Sequence, residues 1–197
     1  MIEAINAQPS PAPAVEIEAL GFLDDGAPDL ATLAPYGVPH LGPVEALNGL
    51  PDDVGYIIGI GSPSVRRQID EQFRGQRMSP VVIHPSATIG RGVTLGPGSV
   101  VCAGVRMTNN IVCGRHTHLN INATVGHDAR LANYVTVSPL VAISGYVALE
   151  DEVMVGTGVT INPGVRVGRE SVLGSGAAVL KDVPPRVTAV GVPAKVR

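Results

Sequence analysis

From Ile83 onward every sixth residue is apolar, in register and without exception: the series runs through Leu95, Val101, Cys113, Val125, Val137, Ile143, Ile161 and Leu173 to Val179. Four residues after each member comes a second series, from Ala87 and Val93 to Ala177 and Val183, in which every residue is small or β-branched. An amphipathic helix would repeat at 3.6 residues and a half-buried strand at two, so a strict period of six fits neither. It fits short flat strands alternating with tight corners, three strands to a coil of eighteen residues. The pattern therefore predicts a three-sided parallel β-helix of five to six coils, stacked at roughly 4.8 Å, with no repeat broken by an insertion. Glycine follows the apolar position at Gly90, Gly96, Gly114, Gly126, Gly156, Gly168 and Gly174, where corners are expected to need unusual backbone dihedrals.

The preceding segment has a different texture. MIEAINAQ reads as a helix and Pro9 to Pro13 as a loop. A β-like run from Ile17 to Leu23 ends in Asp24 and Asp25, and VGYIIGIGSPSVRRQIDEQF reads as a second strand, a glycine-rich turn and a helix from about Ser64. This is α/β material, so the expected organisation is a small α/β domain over residues 1–80 and a β-helix domain over 81–197. At Gly59 and Gly61, a strand running into a helix would bring backbone N–H groups to where a phosphate can sit.

Composition supports a solenoid. With 24 Gly, 17 Pro, no Trp and only 3% aromatic residues, the core is filled by small and β-branched side chains rather than by rings. The net charge of -3 supplies no basic footprint, which argues against nucleic acid or an anionic membrane as partner. No leader pattern or apolar run long enough to span a bilayer is present, and a cytoplasmic location is expected. Cys102 and Cys113 lack metal-site spacing and read as small core residues.

The run from Ile83 to Leu180 resembles the hexapeptide-repeat proteins, written [LIV]-G-x-x-[STAV]-x. Three further stretches, GFLDD, IHPSATIG and NINATVGHDA, resemble one branch of them, the sialic acid O-acetyltransferases and nucleotide-aminosugar N-acetyltransferases. The resemblance implies a left-handed parallel β-helix that binds acetyl-CoA, preceded by a small Rossmann-like domain that binds a nucleotide-sugar. It also implies a homotrimer with active sites between subunits. The implied activity is transfer of an acetyl group to an amino or hydroxyl group of a sugar, in particular a nucleotide-linked aminosugar used in surface polysaccharide or glycan synthesis. The family pattern opens with a strand and a glycine-rich loop, whereas this chain begins at Met1 in what reads as the first helix. The small domain is thus expected to be truncated, by an upstream start or a real loss.

The same resemblance assigns residues. His127 corresponds to the family's general base, and a near-neutral imidazole suits that task. Asp128 corresponds to the acidic residue that holds its tautomer. One coil on, Gly145 shares the corner with His127, and its backbone N–H is expected to face the thioester carbonyl. Gly156, Thr157, Gly174 and Ser175 are expected along the acetyl-CoA groove, and Lys195, in GVPAK, near a phosphate of the cofactor. Asn120, Asp24, Asp25, Gly59 and Gly61 are the substrate-binding candidates, although an aspartate pair before Gly26 is also good turn chemistry. The family often has histidine at the position of Thr136.

Two other readings stand beside this one. A γ-type carbonic anhydrase shares the fold and uses three histidines for zinc, and His84, His116, His118 and His127 bring it to mind. Its G-H-x-x-x-x-H pattern would require a histidine where Ala132 stands, so no metal is expected. The third is a β-helix scaffold without turnover, which acetyl-CoA binding would separate from an enzyme.

Overall fold

The computed structural model describes residues 17–197, so the helix and loop expected over residues 1–16 lie outside the described residues. The second half is a left-handed parallel β-helix. Its coils are built from two-residue strands spaced six residues apart, from β3 (Val82–Ile83) to β19 (Ala178–Val179). Through the middle of the prism each strand pairs in parallel with the strands eighteen residues before and after it. Thr124, for example, lies between Arg106 and Ala142, and Thr136 between His118 and Met154.

The strands form three flat faces. The first holds His118, Thr136 and Met154, the second Thr124 and Ala142, and the third Arg130 and Ala148. The predicted aliphatic series points inward: Val101, Leu119, Val125, Leu131, Val137, Leu149, Val155 and Leu173 are all at most 2% exposed. One continuous column of such side chains fills the prism, and at about 25 cal/mol per Å2 its burial is the main force closing each coil. At the open N-terminal end the same series is less covered, and Ile89 is exposed.

Three stacked columns of corners join the faces. The first contains Asn120–Asn122, the second Gly126–Asp128, and the third Gly114–His116. The glycines after each apolar position are required here, but not for dihedral freedom. A Cβ on Gly96, Gly114 or Gly126 would lie 2.5–2.7 Å from backbone of the next coil, so coil-to-coil stacking leaves no room for one. The left-handed residue falls two positions later in each corner and is often not glycine: Asn110, His116, Asn122, Asp128, Tyr134 and Tyr146 have φ between 48° and 60°.

The N-terminal part has its own core of Leu47, Tyr56, Ile58 and Phe73. Two elements differ from expectation. The run from Ile17 yields only the short strand β1 (Phe22–Leu23), and β1 pairs in parallel with β2 (His40–Gly42). The second strand expected near Val54–Ile60 belongs to no sheet. That stretch buries Tyr56 and Ile58, and the Tyr56 N–H reaches the Met78 carbonyl, but among the described residues no strand lies alongside to complete a ladder. The short helix α1 (Leu30–Leu33) is one that the sequence pattern does not mark, whereas α2 (Pro63–Phe73) begins one residue before the expected start at Ser64.

A buried polar cluster seats α2 on the third corner. The Asp70 carboxylate accepts hydrogen bonds from Tyr56 Oη (2.5 Å), Tyr134 Oη (2.7 Å), Arg115 Nη2 (2.6 Å) and Nε (3.0 Å), and His116 Nε2 (2.9 Å). Burial alone would raise the pKa of Asp70, but the donors from Arg115, Tyr56 and Tyr134 outweigh it and hold the group well below the usual carboxylate range. Nearby, Arg67 Nε lies 2.8 Å from Glu152 Oε1.

Candidate active site

His127 stands on the second corner, its side chain 56% exposed. Three contacts hold the ring. Nδ1 lies 2.8 Å from Asp128 Oδ2; the Tyr146 ring meets the imidazole edge-on, with centroids 5.0 Å apart at 89°; and Gly145 lies beneath Nε2, where a Cβ would come within 2.7 Å. The backbone fixes the same corner, since the Asp128 N–H donates to the Asn109 carbonyl (3.0 Å) and the Tyr146 N–H to the His127 carbonyl (2.9 Å). The left-handed conformation of Asp128, with φ 59°, brings its carboxylate back beside the preceding ring. Its pKa is lowered, chiefly by the hydrogen bond from His127.

With Nδ1–H donated to the carboxylate, the lone pair of the neutral ring is on Nε2, the atom over Gly145. A group approaching this corner can hand a proton to Nε2. The Gly145 N–H, one coil away, donates to no acceptor among the described residues, so a backbone donor is available beside the base.

The other predicted residues do not converge on this corner. Gly156, Thr157, Gly174, Ser175 and Asn120 all lie in the first corner column, with Thr157 and Ser175 exposed. One six-residue step, at most about 20 Å of chain, separates that column from His127. Gly156 is glycine because a Cβ would come within 2.7 Å of Ser175 N, and Gly174 because one would come within 2.6 Å of Val190 Cγ1. Asn120 is not in the left-handed region; that position is Asn122. The Asn120 side-chain amide instead donates to the Val137 carbonyl at 2.9 Å, bridging coils. Lys195 is exposed on β21 (Lys195–Val196), which pairs antiparallel with β20 (Thr188–Val190) on the first face.

Asp24 and Asp25 are exposed past β1. Asp24 Oδ1 accepts the Gly26 N–H (2.8 Å) in its own turn, whereas Asp25 Oδ1 accepts the Val44 N–H (2.7 Å) nineteen residues away. Gly59 and Gly61 are exposed in the loop before α2. Thr136, beside that loop, is buried, and its hydroxyl donates to the Gly61 carbonyl at 2.9 Å.

Two further residues, Tyr146 and Arg66, are not marked by any motif. Tyr146 carries a signal in the eighteen-residue register, which places it one coil beyond Asp128. Arg66 is wholly buried, and nothing in the spacing of a single arginine on a helix distinguishes that from a solvated face.

Known proteins share this fold. A family model described as the hexapeptide repeat of succinyl-transferase matches residues 86–108 and 146–181. A search of curated proteins returns no match. The acetyltransferase domain of PglB from Neisseria gonorrhoeae, solved in complex with acetyl coenzyme A, is 31% identical; the match covers 90% of this chain and 85% of that one, with a TM-score of 0.80. The chain belongs to the hexapeptide-repeat sugar acetyltransferases. A variant of perosamine N-acetyltransferase from Caulobacter crescentus, in complex with CoA and GDP-perosamine, matches this acetyltransferase at 30% identity over 82% of the chain and 78% of its own length (TM-score 0.76). WeeI from Acinetobacter baumannii matches at 28% identity, 90% and 85% coverage, and a TM-score of 0.80.

The zinc reading finds no ligand set in this family member. His116 is buried at the third corner, His118 lies on the first face and His127 on the second corner; among the described residues no group of three His, Cys, Asp or Glu could hold a metal ion. Cys113 is buried in the prism, its thiol pushed up to about 12 by burial, whereas Cys102 is only half-buried at a corner. No described helix is long and apolar enough to cross a membrane.

Proposed function

We propose that this protein is an acetyl-CoA-dependent acetyltransferase that acetylates a nucleotide-linked aminosugar, with His127 as general base, in the cytoplasm. The observation that carries the reading is the His127 corner: an exposed imidazole, oriented by Asp128 through Nδ1, whose Nε2 lies over Gly145, a residue whose N–H has no acceptor among the described residues.

In the reaction, the acceptor amine attacks the thioester carbonyl while His127 Nε2 takes its proton. The tetrahedral oxyanion receives the Gly145 N–H. Its collapse expels the CoA thiolate, which leaves as the thiol after taking up a proton, and His127 returns to its neutral form by losing the one it accepted. Asp128 stabilises the imidazolium formed in between. An acceptor hydroxyl would follow the same path, but the amine is favoured because perosamine N-acetyltransferase is among the similar structures.

The proposal includes a homotrimer. In one chain the base lies on the second corner, the cofactor candidates on the first, and the Gly59–Gly61 loop beside the first face and third corner. A complete site is assembled when the first corner of one prism faces the second corner of a neighbour, with acetyl-CoA between them. Residues 1–80 then supply the acceptor-binding domain, through Asp24, Asp25, Gly59 and Gly61, and residues 81–197 the acyl-transfer domain. Lys195 would pair with a phosphate of the cofactor.

The test is a thiol-release assay with acetyl-CoA against a panel of UDP-, GDP- and dTDP-linked aminosugars. His127→Ala is expected to lower turnover by roughly 10²–10⁴-fold with the oligomer intact. Unchanged turnover removes His127 from the mechanism, and absence of turnover with every nucleotide-aminosugar removes the acceptor class.

A further inference from the structure

Beneath the Gly59–Gly61 loop lies a charge with no counter-charge. Arg66, in the first turns of α2, has no solvent-exposed surface, and all five of its N–H groups are used. Nε donates to the His116 carbonyl (3.2 Å), Nη1 to the Ile60 (2.9 Å) and Gly61 (3.0 Å) carbonyls, and Nη2 to the Tyr134 carbonyl (2.6 Å) and Thr136 Oγ1 (2.8 Å). Every acceptor is neutral. Among the described residues no carboxylate forms an ion pair with it, since Asp70 is engaged by Arg115 and His116.

Burial lowers the guanidinium pKa to about 10, so it is still cationic at neutral pH. A cation at the start of a helix also faces the positive end of the helix dipole. Stability alone does not account for such a residue, because well-packed apolar side chains often serve a buried position as well or better.

Its hydrogen bonds have a directional consequence. Across a trans peptide the carbonyl and the following N–H point in opposite directions. Drawing the Ile60 and Gly61 carbonyls inward turns the Gly61 and Ser62 N–H groups outward, and neither has an acceptor among the described residues. The Thr136 hydroxyl, donating to the Gly61 carbonyl, ties the same peptide to the β-helix. Gly61 is not in the left-handed region, and a Cβ there would meet nothing within 4 Å. Among the described residues neither backbone conformation nor packing requires glycine at 61, whereas a ligand approaching the outward N–H groups would.

We propose that Arg66, supported by Thr136, is the positioning residue for the acceptor's diphosphate: it aims the Gly61 and Ser62 N–H groups at the phosphates and places an unbalanced positive charge behind them. This rests on the reading that the acceptor is a nucleotide-sugar.

The test uses Arg66→Met, which removes the charged fork, and Thr136→Val, which removes only the hydroxyl and remains informative if the arginine variant does not fold. Binding of UDP, GDP and dTDP is followed by titration calorimetry, together with KM for acetyl-CoA and for the acceptor. Both variants are expected to bind the nucleoside diphosphate that the unaltered protein prefers at least about tenfold more weakly and to raise KM for the acceptor, while KM for acetyl-CoA and kcat at saturating acceptor are largely kept. A merely structural role would lower the thermal midpoint and shift all constants together. Binding equal to that of the unaltered protein overturns the inference and leaves the acceptor reading standing. If the unaltered protein binds none of the three, the acceptor reading falls and this inference with it.

Discussion

The imidazole of His127 lies over the backbone of Gly145, close enough that a single methyl group on Gly145 would come within 2.7 Å of Nε2. The two residues are eighteen apart, so the coil length itself brings them into register, and the glycine leaves the space the base occupies.

Gly145→Ala is therefore expected to displace the ring rather than the backbone. Gly145 is not in the left-handed region, so alanine fits its dihedrals, and the added methyl meets the far end of a rotatable side chain. Turnover should fall by roughly 10²-fold, in line with small misplacements of a catalytic group, with the thermal midpoint within a few degrees. Full activity in a folded Gly145→Ala protein would show that Nε2 does not need its place over residue 145.

The two roles proposed for Asp128, holding the ring and stabilising its imidazolium form, can be separated by substitution. Asn tolerates the left-handed conformation and keeps a side-chain oxygen, but it lacks the charge that stabilises the imidazolium. Asp128→Asn should lower kcat by about 10–10³-fold with little change in stability. Asp128→Ala should lose activity similarly and also lose roughly 1 kcal/mol of stability, because alanine is strained at φ 59°. If the asparagine variant keeps full kcat, the carboxylate does not assist the base.

The β-helix was legible because each coil repeats the same local demand: an aliphatic side chain inward every sixth residue. The same register placed His127, Asp128 and Gly145 on one corner before any coordinates. The corner glycines were legible in position but not in cause, since the nearness of the neighbouring coil is a three-dimensional fact. The second strand was misplaced at Val54–Ile60 because an apolar run reports burial, as at Tyr56 and Ile58, and says nothing about whether a pairing strand lies alongside. The Asp70 cluster was not legible at all. Its donors, Tyr56, Arg115, His116 and Tyr134, are brought together only by the docking of α2 on the third corner.

That docking should make the protein acid-sensitive well above the carboxylate range. Burial, followed by the charge of Arg66, lowers His118 to about 3, and burial lowers His116 despite the Asp70 carboxylate beside it. A histidine whose folded pKa lies below 6.5 binds its proton more readily in the unfolded chain, so stability present above pH 6.5 is lost as pH falls toward the folded value. At 1.36 kcal/mol per proton per pH unit, His118 removes roughly 2 kcal/mol between pH 6.5 and 5, or on the order of 4–8 °C in Tm for a chain of this size, and His116 adds a loss of the same sign. Thermal melts of the unaltered protein and of His118→Leu at pH 7.5 and 5.0 measure this. The variant should show the smaller drop, and equal drops would mean that His118 does not titrate with unfolding.

Removing the centre of the cluster tests how the two parts are held together. Asp70→Ala leaves the Arg115 guanidinium without its carboxylate and the hydroxyls of Tyr56 and Tyr134 without their acceptor, a change that costs about 3–5 kcal/mol for a buried partner. The column of aliphatic side chains inside the prism makes no use of Asp70, so the loss should fall on one side of the junction. Limited proteolysis is expected to open the variant within residues 17–80 while a β-helix fragment beginning near Val82 survives, and calorimetry should show one early transition ahead of an unshifted late one. A single transition lowered as a whole would mean instead that the two parts unfold as one cooperative unit, with the cluster holding them together.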